Sequence, residues 1–173
     1  GLGLAFERGG EPRYVRRWAA LIDGWMRAVP PGFIAADVTG RRVQNWIYSY
    51  RLFVTHAAHP APIDARFHRR LLESLHAQVE YLCAHLTPKR NHRTLELYAI
   101  FLAGVVLPEM RRAAFWRAFA LEQTLANMAG DLLADGVHCE LSTDYHHLAL
   151  KNWLHFRRLA SANGIAVPAA MDL

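Results

Sequence analysis

The chain has 173 residues, 53% of them hydrophobic and 11% aromatic, a globular composition and enough for one domain with its own core. No apolar run approaches the ~18 residues of a membrane span, so no membrane partner is expected. The formal charge is +5, from 20 Lys+Arg against 15 Asp+Glu, and favours an anionic partner.

The period is helical nearly throughout. Trp18, Leu21, Ile22, Trp25, Met26 and Val29 form one apolar stripe, ended by Pro30-Pro31-Gly32. Val43, Trp46, Ile47, Tyr50, Phe53 and Val54 form a second after Thr39-Gly40, ended by His59-Pro60-Ala61-Pro62. A third runs from Ile63 through Phe67, Leu71, Leu75, Val79 and Leu82 to Leu86, and stops near Thr87-Pro88. The fourth spans about Asn91 to Val106. Leu107-Pro108-Glu109 reads as the start of a fifth, which Asp135-Gly136 ends. Ser142 caps a sixth that reaches Ala162 and stops at Asn163-Gly164. No strand is expected. Short turns make consecutive helices antiparallel, giving three helical hairpins that stack as a solenoid or curve into a toroid.

Lys89 and Lys151 are the only lysines, so the basic charge is nearly all Arg. A planar guanidinium suits carboxylate or sulfate; an Arg-rich genome with solvated helix faces explains the same excess. The arginines are scattered in short runs such as Arg16-Arg17 and Arg69-Arg70, unlike the single stripe of a nucleic-acid-binding module, so no nucleic acid is expected. Two cysteines, Cys83 and Cys139, form no disulfide framework and leave the redox compartment open.

Chemistry-bearing residues cluster at two helix starts. Asn91-His92-Arg93 places an amide, an imidazole and a guanidinium where free N–H groups and a partial positive charge attract carboxylates. The bland alternative is an ordinary Asn cap beside a solvated Arg. Tyr145 falls in the first turn after Ser142, beside His146 and His147, where a phenolate is stabilised relative to a free phenol of pKa ~10. The bland alternative is an interfacial aromatic. His138, Cys139, Glu140, His146 and His147 are good ligand types but match no zinc signature, so no metal and no cofactor is assigned.

Taken in order, Asn91-His92-Arg93, Phe101 to Pro108-Glu109, Trp116, and Asp135-Gly136-Val137-His138-Cys139-Glu140-Leu141-Ser142-Thr143-Asp144-Tyr145-His146 resemble the N-terminal helical domain of heparinase II/III-like and alginate lyases. The resemblance is sharp from Asn91 to about Leu159 and looser upstream, where it rests on Trp46 and Arg51. It implies an all-α fold, an incomplete (α/α) toroid over residues 1–164. Residues 165–173 would then be a linker toward a β-sandwich domain of a longer protein, in which case a metal could lie in that domain. The implied activity is β-elimination at a uronic-acid residue of an acidic polysaccharide, in a periplasmic or secreted setting. Asn91 and His92 would neutralise the uronate carboxylate and Tyr145 would act as base, acid or both. Arg93, Glu140, His146 and Arg51 would contact substrate or orient those groups, and a further catalytic His would come from the β domain. The competing reading is a non-catalytic glycan-binding or scaffold module of the same fold, which would not need to keep Asn91 and Tyr145.

Overall fold

A computed structural model describes residues 2–30, 34–55 and 63–171. The described residues form seven α-helices: α1 (Leu2–Gly9), α2 (Pro12–Ala28), α3 (Ala36–Tyr50), α4 (Ala65–Ala84), α5 (Arg90–Val106), α6 (Ala113–Asp131) and α7 (Thr143–Ala162). A π-helical turn, Arg51–Thr55, follows α3, and a 3-10 turn, Ala169–Met171, closes the described chain. Extended pairing among these residues is limited to one isolated antiparallel bridge, Leu132 with His138.

Helix α5 organises the rest. Asn91, Thr94 and the whole run from Glu96 to Gly104 are buried, so it has almost no solvent face. A helix apolar on all sides must be enclosed by neighbours. On one flank lies α3, in step with it: Gln44 Nε2 donates to the Leu95 carbonyl at 3.0 Å, and the Tyr48 and Tyr98 hydroxyls meet at 2.7 Å. On the other lies α7, also in step, with Phe101 stacked on Phe156 at 3.7 Å between centroids. Helices α3, α5 and α7 therefore run parallel in one layer. Behind them α6 runs antiparallel to α5, with Arg93 bonded to Gln123 near one end and Arg117 Nη1 donating to the Gly104 carbonyl at the other. Glu80 of α4 joins this outer layer to α6 by accepting from Trp116 Nε1 at 2.6 Å and Arg112 Nε at 3.1 Å. Burial works against ionising Glu80, yet those donors outweigh it and hold its carboxyl below the usual value. Helix α2 completes the outer layer through Trp18–Ser49 and Arg70–Asp23 bonds. Two layers of alternating helices are the expected incomplete (α/α) toroid.

Three local expectations are corrected. Helix α1 was not foreseen: eight residues are too few to show a period, and Gly10, at φ +64°, ends it. Thr39-Gly40 is not a break but lies inside α3, where Gly40 lets the helix press on α5; an added Cβ would sit 3.0 Å from Leu95 and 3.3 Å from the Glu96 Cα. Leu107-Pro108-Glu109 does not begin α6. The proline disfavours helical backbone at Leu107, and two successive turns, Met110 N to Leu107 O and Ala113 N to Met110 O, reverse the chain first. Pro31-Gly32 and His59-Pro60-Ala61-Pro62 lie outside the described residues. Residues 165–171 fold back on the core: Ile165 and Val167 pack against it and Met171 is 1% exposed.

Gly104 is where α5 meets the backbone of α6. An added Cβ would lie 2.9 Å from the Ala113 carbonyl oxygen, whereas one at Gly130 meets nothing within 4 Å. Gly104→Ala should therefore destabilise the chain by about 1–3 kcal/mol, and Gly130→Ala should stabilise it by roughly 0.5–1 kcal/mol. Urea unfolding midpoints at unchanged m-value read both.

Candidate active site

Because α5 and α7 are parallel, their first turns lie at the same end of the layer. Asn91 is the second residue of α5 and is 8% exposed. Its Nδ2 donates to Glu140 Oε2 at 2.6 Å, across 49 positions of sequence. Glu140 immediately precedes the turn into α7, where Ser142 caps the helix by accepting from the Tyr145 N–H. Tyr145 is thus in the first turn of α7, with 44% of its surface exposed. An ionised acceptor makes the Asn91–Glu140 bond worth about 1.5–3 kcal/mol. It uses one N–H of the amide and leaves the second to donate elsewhere.

The backbone on either side of this bond is strained. Arg90, just before Asn91, has φ +73°, and Leu141, just after Glu140, has φ +50°. These are the only non-glycine residues with positive φ among those described. Such conformations cost of order 1–3 kcal/mol each and persist where the surroundings over-determine them.

The other expected residues are placed with different partners. His92 turns toward α3, with Nδ1 3.3 Å from Asp37 Oδ2, and keeps 48% of its side chain exposed at the same end of the layer. Arg93 turns the other way: Nη1 donates to the Thr87 carbonyl at 3.0 Å and Nη2 to Gln123 Oε1 at 2.5 Å, bracing α5 against α6. His146 Nδ1 accepts from the His138 N–H at 3.2 Å and ties down the loop before α7. Arg51 is not brought to this end. It follows the C-terminal end of α3, roughly 21 Å along the axis from Asp37 at ~1.5 Å per residue.

A surface cleft of about 310 Å³ runs between α3 and α7 over Leu95 of α5, lined by Arg41, Asn45, Tyr48, Lys151, Asn152 and His155. Leu148, one turn beyond Tyr145, also lines it, so the cleft continues along the face of α7 that Tyr145 begins. The sequence reading missed these residues, although the spacing of Arg41, Asn45 and Tyr48, and of Asn152 and His155, marks a polar face on each helix. Below the cleft, burial and then the Tyr48 hydroxyl push the Tyr98 phenol well above its ordinary range. Burial, with help from Lys151 and Arg158, lowers the pKa of His155. Among the described residues, Asp131, His138 and Cys139 also bring potential metal-ligand atoms within 4.8 Å of one another.

Against known proteins, the family model described as Heparinase II/III N-terminus matches residues 1–170. The chain belongs to this family. A heparin-sulfate lyase of Pedobacter heparinus is 30% identical over 161 residues, covering 88% of this chain and 24% of that protein. A crystal structure of a heparan sulfate lyase from the same organism superposes with a TM-score of 0.80 at 26% identity, covering 99% of this chain and 28% of that one. A crystal structure of heparinase III shares the fold with a TM-score of 0.88 at 17% identity, over 98% of this chain and 27% of that one. This heparinase II/III N-terminal chain thus spans about a quarter of the length of these relatives.

The lowered pKa of His155 gives a pH dependence with a defined sign. The unfolded chain binds its proton more readily than the folded one, so the group's contribution is intact above its ordinary value of 6.5 and is lost as pH falls below it. An NMR titration of the imidazole should give a midpoint for His155 below 6.5, and His155→Gln should flatten the decline of stability in that window.

Proposed function

We propose that this chain is the helical part of a polysaccharide lyase that cleaves a uronic-acid-containing polysaccharide by β-elimination. One observation carries the reading: Asn91 and Tyr145 start two parallel helices at the same end of the layer, and Glu140, bonded to Asn91, leads into the turn that presents Tyr145.

The chemistry asks for three things. The uronate carboxylate must lose its charge so that the C5 proton becomes acidic. Asn91 offers its second amide N–H, His92 an exposed imidazole, and the α5 N-terminus a partial positive charge. A base must then remove the C5 proton. The C5–H electron pair forms the C4–C5 double bond, the C4–oxygen bond breaks, and the leaving oxygen takes the electron pair and a proton. Tyr145, exposed in the first turn of α7, is the base, the acid or both. Glu140 orients Asn91; Arg93 and His146 hold the two helix starts in place. Arg51, at the far end of α3, has no part in this step. The cleft with Arg41 and Lys151 extends the cationic surface along which an anionic chain would lie.

The named relatives act on heparin or heparan sulfate by their descriptions, and an acidic polysaccharide is the substrate class proposed here. A further proton-handling His from a β-rich domain, as the resemblance implies, would complete the cleft. No cofactor is required of the helical part for this step. In the natural protein that carries this chain, Tyr145→Phe should lower turnover on uronate polymers by about 10²–10⁴-fold while leaving binding largely intact. Asn91→Ala should lower turnover strongly as well. The readout is the ultraviolet absorbance of the 4,5-unsaturated product, with oligosaccharide binding measured in parallel. Undiminished turnover by Tyr145→Phe removes Tyr145 from the mechanism; binding with no turnover on any uronate polymer favours the non-catalytic glycan-binding module.

A further inference from the structure

The loop between α6 and α7 holds three side chains that the proposed elimination does not use. Asp131, the last residue of α6, is 1% exposed, His138 is 0% exposed and Cys139 is half-buried. The backbone forces them together. Cys139 N donates to the Asp131 carbonyl at 2.7 Å, and the Leu132–His138 bridge closes the intervening turn.

Their functional atoms converge. His138 Nε2 lies 3.7 Å from Asp131 Oδ2, Cys139 Sγ lies 3.9 Å from Asp131 Oδ1, and all three groups fall within 4.8 Å of one another. Nε2 is buried and makes no hydrogen bond to any described protein atom. A buried polar atom left in that state costs about 1–3 kcal/mol. The other ring nitrogen, Nδ1, accepts from the Glu140 N–H at 3.3 Å and lies 3.6 Å from Glu140 Oε2. An imidazole with a carboxylate behind one nitrogen and the other nitrogen aimed at further ligand atoms is how proteins present histidine to a metal. Nitrogen, carboxylate oxygen and sulfur together suit zinc and its neighbours. With bonds of ~2.0–2.3 Å, tetrahedral ligand atoms stand roughly 3.3–3.6 Å apart, so the two Asp131 spacings need to contract by a few tenths of an ångström and the rest of the group, within 4.8 Å, by up to about 1.5 Å.

We propose that Asp131, His138 and Cys139 form a binding site for a divalent transition-metal ion of the zinc type, with solvent in the fourth position. In sequence His138, Cys139, Glu140, His146 and His147 match no zinc signature; in the structure the carboxylate comes from Asp131 at the end of α6 instead. Loading releases the Cys139 thiol proton to solvent. When the His138 lone pair at Nε2 goes to the metal, the ring proton moves to Nδ1, which stops accepting from the Glu140 N–H and donates toward Glu140 Oε2 instead. Glu140 also receives Asn91, so the ion stiffens the support of Asn91 without touching substrate. Asn127, which donates to Asp131 Oδ2 at 2.9 Å, holds the carboxylate by the same oxygen that faces His138.

Cobalt(II) titration of the metal-free chain tests this without any assay of activity. One equivalent should produce a thiolate-to-cobalt charge-transfer band, and Zn²⁺ should displace it. Cys83→Ser should keep the band and Cys139→Ser should lose it with an unchanged far-ultraviolet spectrum. His138→Gln should weaken binding by roughly tenfold or more. On the unmodified chain, Zn²⁺ should slow iodoacetamide labelling of Cys139 about tenfold, as read by peptide mass. Cys83, whose thiol burial pushes up to about 12, is the unreactive internal reference. No band together with no protection of Cys139 overturns the site, as does a band that survives Cys139→Ser. Should Cys139→Ser not fold, the labelling result on the unmodified chain decides.

Discussion

The enclosure of α5 is the constraint on which the other elements depend. Its burial from Glu96 to Gly104 leaves no side for water, so α3, α6 and α7 must each supply a face. Two close approaches set the spacing: Gly40 against Leu95 and Glu96, and Gly104 against Ala113 and Arg117. Short connections then alternate the helix direction, and the two flanking helices must run parallel to α5. Parallel neighbours put three helix N-termini at one end. The polar start of a helix is the one place where Asn91 can be half enclosed by the core and still offer an N–H outward. A concentration of cationic and neutral donors at one end thus follows from packing, before any substrate is considered.

The stripes of α2 and α4 were legible because each is long enough to repeat its apolar period, the extent of α5 was legible without a stripe, and Ser142 and Asn163-Gly164 mark both ends of α7 within the sequence itself. What was not legible depended on contacts between distant segments. Gly40 looks like a stop when only its neighbours in sequence are seen, yet its missing side chain is a contact surface. The turn at Leu107–Arg112 obeys the proline, but its length is set by the distance between α5 and α6. In the site, the order of Asn91, Glu140 and Tyr145 was legible through the resemblance. The partners were not: Arg93 was expected near substrate and bonds instead to Thr87 and Gln123, and Arg51 stands at the other end of its layer. A motif gives residue order; which way each side chain leaves its helix depends on neighbours that the motif does not contain.

The loop before α7 serves several tasks in eleven residues. It ends α6, reverses through Gly136 at φ +82°, returns to Asp131 through Cys139, and delivers Glu140 and Ser142. The strained Leu141 is what lets Glu140 face Asn91 while the next residue caps α7. Strain of this kind marks a place where geometry is held for a purpose other than stability.

The Asn91–Glu140 bond has a consequence for the integrity of the site. It joins residues 49 positions apart, and Glu140 is carried by a loop whose helix rests mainly on α5. Among the described residues helix α7 packs chiefly on α5, so α5 is the element it would part from on opening. Opening α7 alone would carry away Glu140, Ser142 and Tyr145 together and leave Asn91 still seated on α5. The two halves of the site therefore sit on separate helices, joined at this end by the Asn91–Glu140 bond. Losing that one bond would leave each helix folded and the site in two pieces, a fault visible to substrate and nearly silent in the fold.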